Sequence, residues 1–131
     1  GIDYCVSLQR KEIDEMKYFS ESEFKCNGVD CYDLMNPELI KRLDLARGIA
    51  DVPFFITSSY RDKETNMKVG GSKKSAHLRG NAVDLHCENS YHRFKIVQAL
   101  LDAGFTRIGI ASNFIHADVD EELTDCVIWT Y

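Results

Sequence analysis

Residues 75–85 read SAHLRGNAVDL, and the tightest constraint on the fold is Asp84 near the end of that stretch. Ala82, Val83 and Leu85 surround it, so the segment reads as a strand over 82–87 with one side turned to a core. A carboxylate drawn into such a place is costly unless a cation compensates it. His77 stands earlier in the same stretch, across Gly80, which lacks the Cβ that would hinder a turn between them. Whatever this chain folds into has to bring positive charge to Asp84.

A second segment, FIHADVD at 114–120, carries the same pattern. In a strand, successive side chains alternate faces. Ile115, Ala117 and Val119 then face a core, while Phe114, His116, Asp118 and Asp120 share the other side. The same parity places Val83 and Leu85 on one face and Asp84 and His86 on the other. Two strands and a turn thus offer His77, Asp84 and His116 to a common cleft. Two imidazoles and one carboxylate with a fourth position open form a catalytic zinc set. Read from the residues alone, the same three side chains also suit packing, surface and capping roles.

The chain has 131 residues, 44% hydrophobic and 28% charged, which predicts one soluble domain spanning 1–131 with a real core. No apolar run reaches the length of a membrane span. The N-terminal stretch GIDYCVSLQRKEIDE lacks the basic start and apolar centre of a secretory signal. The expected protein is a monomer outside the membrane, with its location, cytoplasmic or released, left open. The net charge of −5 argues against general nucleic-acid binding. The charge is uneven: residues 61–79 carry six bases against two acids, and residues 118–125 carry five acids and no base. These are either solvated faces or, for the first, a basic rim that attracts an anionic substrate. Five cysteines cannot all pair within one chain, and Cys26 and Cys31 lack a second Cys/His pair at zinc-finger spacing. They read as thiols, with a local Cys26–Cys31 bridge as the alternative.

The elements follow in order. A short helix is expected at 7–18, then a loop over 18–33 with a turn at Asn27-Gly28. Asn36 and Pro37 open a helix whose Leu39, Ile40, Leu43, Ala46 and Ala50 recur at helical spacing. FFITS at 54–58 reads as a strand, and 62–69 as a short helix ended by Gly70-Gly71. Ser90 caps a further helix with Phe94, Val97, Leu100 and Leu101 inward and Gly104 as its stop. Strands follow at 107–111, 114–119 and 127–131. The fold class is α+β, a mainly antiparallel sheet flanked by helices.

At these residues the chain resembles a known family. SAHLRGNAVD matches the S-x-H-x-x-G-x-A-x-D motif of the zinc D-alanyl-D-alanine carboxypeptidases. That group includes vancomycin-resistance peptidases and phage endolysin peptidases, with the hedgehog signalling domain as a related fold. FIHADVD is similar to the family's second histidine segment. ITSSYR at 56–61 is similar to its I-T-S-G-Y-R segment, followed by N-x-x-V-G-G at Asn66 to Gly71. The likeness runs over about residues 18–131 and includes the closing WTY.

The resemblance implies a hedgehog/D,D-peptidase-like fold and a single zinc ion held by His77, Asp84 and His116. It implies hydrolysis of peptidoglycan stem peptides ending in D-Ala-D-Ala. Arg61 matches an arginine that grips substrate carboxylate or carbonyl groups, and a guanidinium suits a planar carboxylate. Ser75 matches a serine that hydrogen-bonds substrate. One position departs. Many members carry Glu or Asp as general base three residues before the second histidine, and here Asn113 stands there, whose amide cannot take a proton. Asp118, on the face of His116, is the expected base, with orientation of His116 as its alternative role. His86 is a further candidate for polarising the substrate carbonyl, or a partly exposed strand histidine. The alternatives to a D,D-carboxypeptidase are an L-alanyl-D-glutamate endopeptidase, a zinc-stabilised binding module without catalysis, and a metal-free structural domain.

Overall fold

The structure, a computed structural model, describes residues 16–131. The expected helix at 7–18 lies almost wholly outside them; residues 16–18 are not helical. Residues 18–33 are more ordered than a loop. A short 3-10 turn at Glu21–Glu23 leads into a small antiparallel hairpin of β1 (Lys25–Cys26) and β2 (Val29–Asp30). Its two-residue turn is Asn27-Gly28, both at positive φ, the conformation that closes a tight hairpin and that Asn and Gly tolerate best.

Helix α1 (Pro37–Ala50) forms as its pattern dictates. The Asn36 side chain accepts from the Glu38 N–H, Pro37 occupies the first turn, and Leu39, Ile40, Leu43, Ala46 and Ala50 are buried. Strand β3 (Ile56–Ser58) starts two residues later than FFITS suggested, and Asp62 caps the short helix α2 (Lys63–Lys68). Strand β4 (Ala82–His86) precedes helix α3 (Ser90–Asp102).

Two expectations for α3 are corrected. Asn89 rather than Ser90 caps it, accepting from the His92 N–H. Its buried stripe is Ile96, Ala99 and Leu100, while Phe94 and Leu101 are 66% and 47% exposed. The helix is rotated so that α1 and the sheet meet the 96/100 row, which buries a more continuous apolar strip than 94/101 would.

The strands β5 (Arg107–Ile110), β6 (Phe114–Asp118) and β7 (Val127–Thr130) complete a five-stranded sheet in the order β3-β4-β6-β5-β7. Three of its four pairings are antiparallel, and β5–β7 is parallel. Val83, Leu85, Ile108, Ile115 and Ala117 point from one face into a core shared with Leu39 and Leu43 of α1 and Ile96 and Leu100 of α3. The opposite face of the central strands carries Asp84, His116 and Asp118.

Gly80 holds the turn between the first two candidate ligands. Its φ is +71°, and a Cβ there would stand 2.0 Å from the Leu34 carbonyl oxygen. The Gly80 carbonyl accepts from Asn36 N–H, so the start of α1 and the 76–80 turn are one joint. Gly80→Ala is expected to destabilise the protein by about 2–4 kcal/mol, from left-handed strain plus the clash. Urea unfolding of the variant measures this.

Candidate metal centre

Asp84 of β4 and His116 of β6 are direct cross-strand partners. The same row continues to Gly109 of β5 and Trp129 of β7, and begins at Ser58 of β3. Side chains opposite one another share a face, so the register alone sets Asp84 beside His116. His77 arrives from a 3-10 turn, Ala76–Arg79, which Ser75 caps by accepting the His77 N–H at 3.2 Å. The turn lies against the segment that follows β3: the Arg61 N–H donates to the His77 carbonyl at 3.0 Å.

Each imidazole is held by one nitrogen and faces Asp84 with the other. His77 Nδ1 lies 2.7 Å from the Ser59 carbonyl, an acceptor, and Nε2 lies 3.3 Å from Asp84 Oδ1. His116 Nε2 lies 2.7 Å from Asp118 Oδ2, and Nδ1 lies 3.1 Å from Asp84 Oδ1. Asp84 Oδ2 is turned the other way and accepts from Arg61 Nη2 at 3.1 Å. One donor atom from each of His77, Asp84 and His116 lies within 4.8 Å of the other two, and all three residues are buried.

The electrostatics answer the question Asp84 raises. Burial pushes its carboxyl upward, but hydrogen bonds from His116 and His77 outweigh this and hold it well below the ordinary carboxylate range. Burial draws His116 downward, but Asp118 and Asp84 raise it above the ordinary histidine value. The Arg61 guanidinium is the fixed positive charge beside Asp84, and the carboxylates on either side of His116 favour a proton on its ring as a second. A divalent cation can take over from that proton. The donor set fits one: two imidazole nitrogens and a carboxylate oxygen converge, and each imidazole is oriented by an acceptor on its far side.

The three residues line a cleft of about 660 Å³ together with Arg61, Ser75, Lys74, Asp118 and Tyr131. Arg61 is fixed on its wall, its Nε donating to Ser58 Oγ and its Nη1 to Asn66 Oδ1. Buried Asn66 also donates to the Ser72 carbonyl, and a Cβ on Gly71 would strike it at 2.1 Å. The Asn66–Gly71 segment thus sets both the arginine and the loop above it. Asp118 is buried, with Oδ2 on His116 and Oδ1 accepting from Arg107 Nε and the Asp120 N–H. It stands behind the His116 ring, on the side away from Asp84. His86 is exposed, 4.0 Å from the Glu88 carboxylate, and does not line the cleft. Asn113 lies in the β5–β6 turn, where its carbonyl accepts the Cys87 N–H.

Sequence reading gave no site role to Ser59, Asn66, Arg107, Trp129 or Tyr131, although Asn66 and the closing WTY stand in segments that carry the resemblance. Arg107 was accessible from a signal already in hand: in a hairpin of 107–111 with 114–119, it falls opposite Asp118. Trp129 was not. Its ring packs 5.3 Å from the His116 ring across Gly109, where any Cβ would come within 2.7 Å of the indole. The acidic run 118–125 is only partly a solvated face: Asp118 and Asp120 are buried, and Asp120 accepts from Arg79 and Asn81. Cys26, Cys31, Cys87 and Cys126 are free thiols, so no Cys26–Cys31 bridge forms. Among the described residues, no helix is long and apolar enough to cross a membrane.

No curated protein matches the chain. The model of the peptidase M15 family matches residues 10–118. That span covers most of the 131 residues and holds the whole His77–Asp84–His116 cluster, so the chain belongs to the M15 metallopeptidases.

Proposed function

We propose that this metallopeptidase binds one zinc ion through His77, Asp84 and His116 and hydrolyses peptidoglycan stem peptides at a terminal D-Ala-D-Ala bond. The observation that carries the reading is the buried ligand trio opening on a cleft whose wall is Arg61. When bound, the zinc supplies Lewis acidity toward a substrate carbonyl and toward water. The chain supplies the rest. Arg61 serves twice: Nη2 holds Asp84 Oδ2, which leaves Oδ1 for the metal, and its guanidinium receives the substrate's terminal carboxylate. Ser75 offers a hydroxyl at the cleft, and Lys74 adds positive charge at its rim for an anionic peptide. His86 has no part in this arrangement.

Asp118 orients His116 rather than serving as the base. Its two oxygens are occupied, and the imidazole separates it from Asp84. The two roles separate in Asp118→Asn. An orienting role predicts zinc affinity about 10–100-fold weaker, with hydrolysis largely restored at saturating zinc. A general base predicts unchanged zinc affinity and a kcat loss of about 10²–10⁴-fold that zinc does not restore.

Digestion of a defined stem pentapeptide by the zinc-loaded protein, with products identified by mass, tests the function. Release of the terminal D-alanine is expected. Cleavage only between L-alanine and D-glutamate would replace the carboxypeptidase reading with an endopeptidase. Intact peptide with zinc bound would leave a binding module.

A further inference from the structure

Arg107 is the last charged link behind His116. It sits opposite Asp118 in the β5–β6 ladder, and its Nε donates to Asp118 Oδ1 at 2.8 Å. Asp118 Oδ2 in turn takes His116 Nε2, and His116 Nδ1 faces Asp84. The Arg107 guanidinium lies 5.1 Å from the centre of the Trp129 ring, and that ring packs against the His116 imidazole. Nη1 also donates to the Thr124 carbonyl. The guanidinium is therefore held from three sides: carboxylate, indole and backbone. Its side chain is 12% exposed and that of Asp118 is 1% exposed, so water competes little for this pair.

We propose that Arg107 is a positioning residue for the metal ligand His116. It acts through Asp118 and through the indole that both side chains touch. This inference rests on His77, Asp84 and His116 being the metal ligands. Physically, a carboxylate with one oxygen on Arg107 has a single orientation for its other oxygen. That orientation fixes the tilt of the imidazole and leaves Nδ1, not Nε2, for the ion. Lysine cannot replace it, because an ammonium offers no planar face to the indole and no fixed fork to the carboxylate.

A double-mutant cycle on zinc affinity tests this, using Arg107→Met, Asp118→Asn and the pair, with a chromogenic chelator as competitor. Arg107→Met alone is expected to weaken zinc about 10-fold, as loss of an outer-shell partner does. In the Asp118→Asn background the same change should cost less than about 2-fold, because no carboxylate remains to be oriented. Cobalt(II) substitution gives a second readout: the visible band of the bound ion should shift in Arg107→Met relative to wild type. Equal effects of Arg107→Met in both backgrounds, or wild-type affinity with an unshifted band, would overturn the proposal and leave Arg107 a strand-pairing residue. A wild-type chain that takes up no zinc would sink the metal reading itself. Thermal melting of each metal-free variant identifies one that fails to fold; Arg107→Lys, which keeps the charge, then replaces Arg107→Met in the cycle under the same criteria.

Discussion

Asp84→Asn is expected to remove both the metal and the activity, with hydrolysis lower by at least about 10³-fold, equivalent to about 4 kcal/mol of transition-state stabilisation. The argument starts in the metal-free protein. Asp84 accepts from Arg61 through Oδ2, and its Oδ1 faces His77 Nε2 and His116 Nδ1 in a buried place. An amide of the same shape removes the negative charge and turns one acceptor into a donor that meets other donors. Breaking a buried charge pair in this way costs about 3–5 kcal/mol, because Arg61 keeps its burial and loses its carboxylate partner, while His116 is left with Asp118 alone. The variant is thus expected to be less stable even without zinc, and to bind zinc only weakly. Urea unfolding and elemental analysis check the two halves. A variant that keeps one zinc per chain and hydrolyses within tenfold of wild type would exclude Asp84 from the ligand set.

Zinc itself should add to stability on the scale of the Asp84 charge network. A ligand at about 1,000 times its dissociation constant stabilises the native state by about 4 kcal/mol. In a domain of this size that raises Tm by on the order of 10 °C. Calorimetry of zinc-loaded against chelator-treated protein measures the gap, and its pH dependence follows from His116. The folded-state value of His116 is raised, so its protonation stabilises the metal-free protein fully below the ordinary histidine range. That contribution is lost as pH rises through the raised value. Zinc must displace this proton to bind. The gap should therefore narrow as pH falls from about 8 to about 6, where protons compete best. A gap that widens toward low pH would mean that the ion is not held by His116.

Much of this protein can be read along the chain because the rules involved are short in range. The Asn36–Pro37 start and the 39/40/43/46/50 stripe specify α1 within a few turns. Strand alternation sets Asp84, His116 and Asp118 on the face away from Leu85 and Ile115. Gly80 marks the turn because no Cβ fits there. The motif order and the M15 match then identify the chemistry.

Other features required partners from distant parts of the chain. Parity places His86 with Asp84, yet His86 sits at the strand end, out of the cleft. Parity also places Asp120 with His116, but past the end of β6 it turns to Arg79 and Asn81. The inward stripe of α3 depended on how that helix rolls against α1, which its own pattern leaves nearly degenerate. The residues that aim the imidazoles — Ser59 by its carbonyl, Asp118 with Arg107 behind it, Trp129 across a glycine — come from four segments joined only by folding. Local sequence selects which groups can carry charge and which face they take. Only sheet register and close packing decide which nitrogen of each histidine is left free, because that depends on an acceptor far away in the chain.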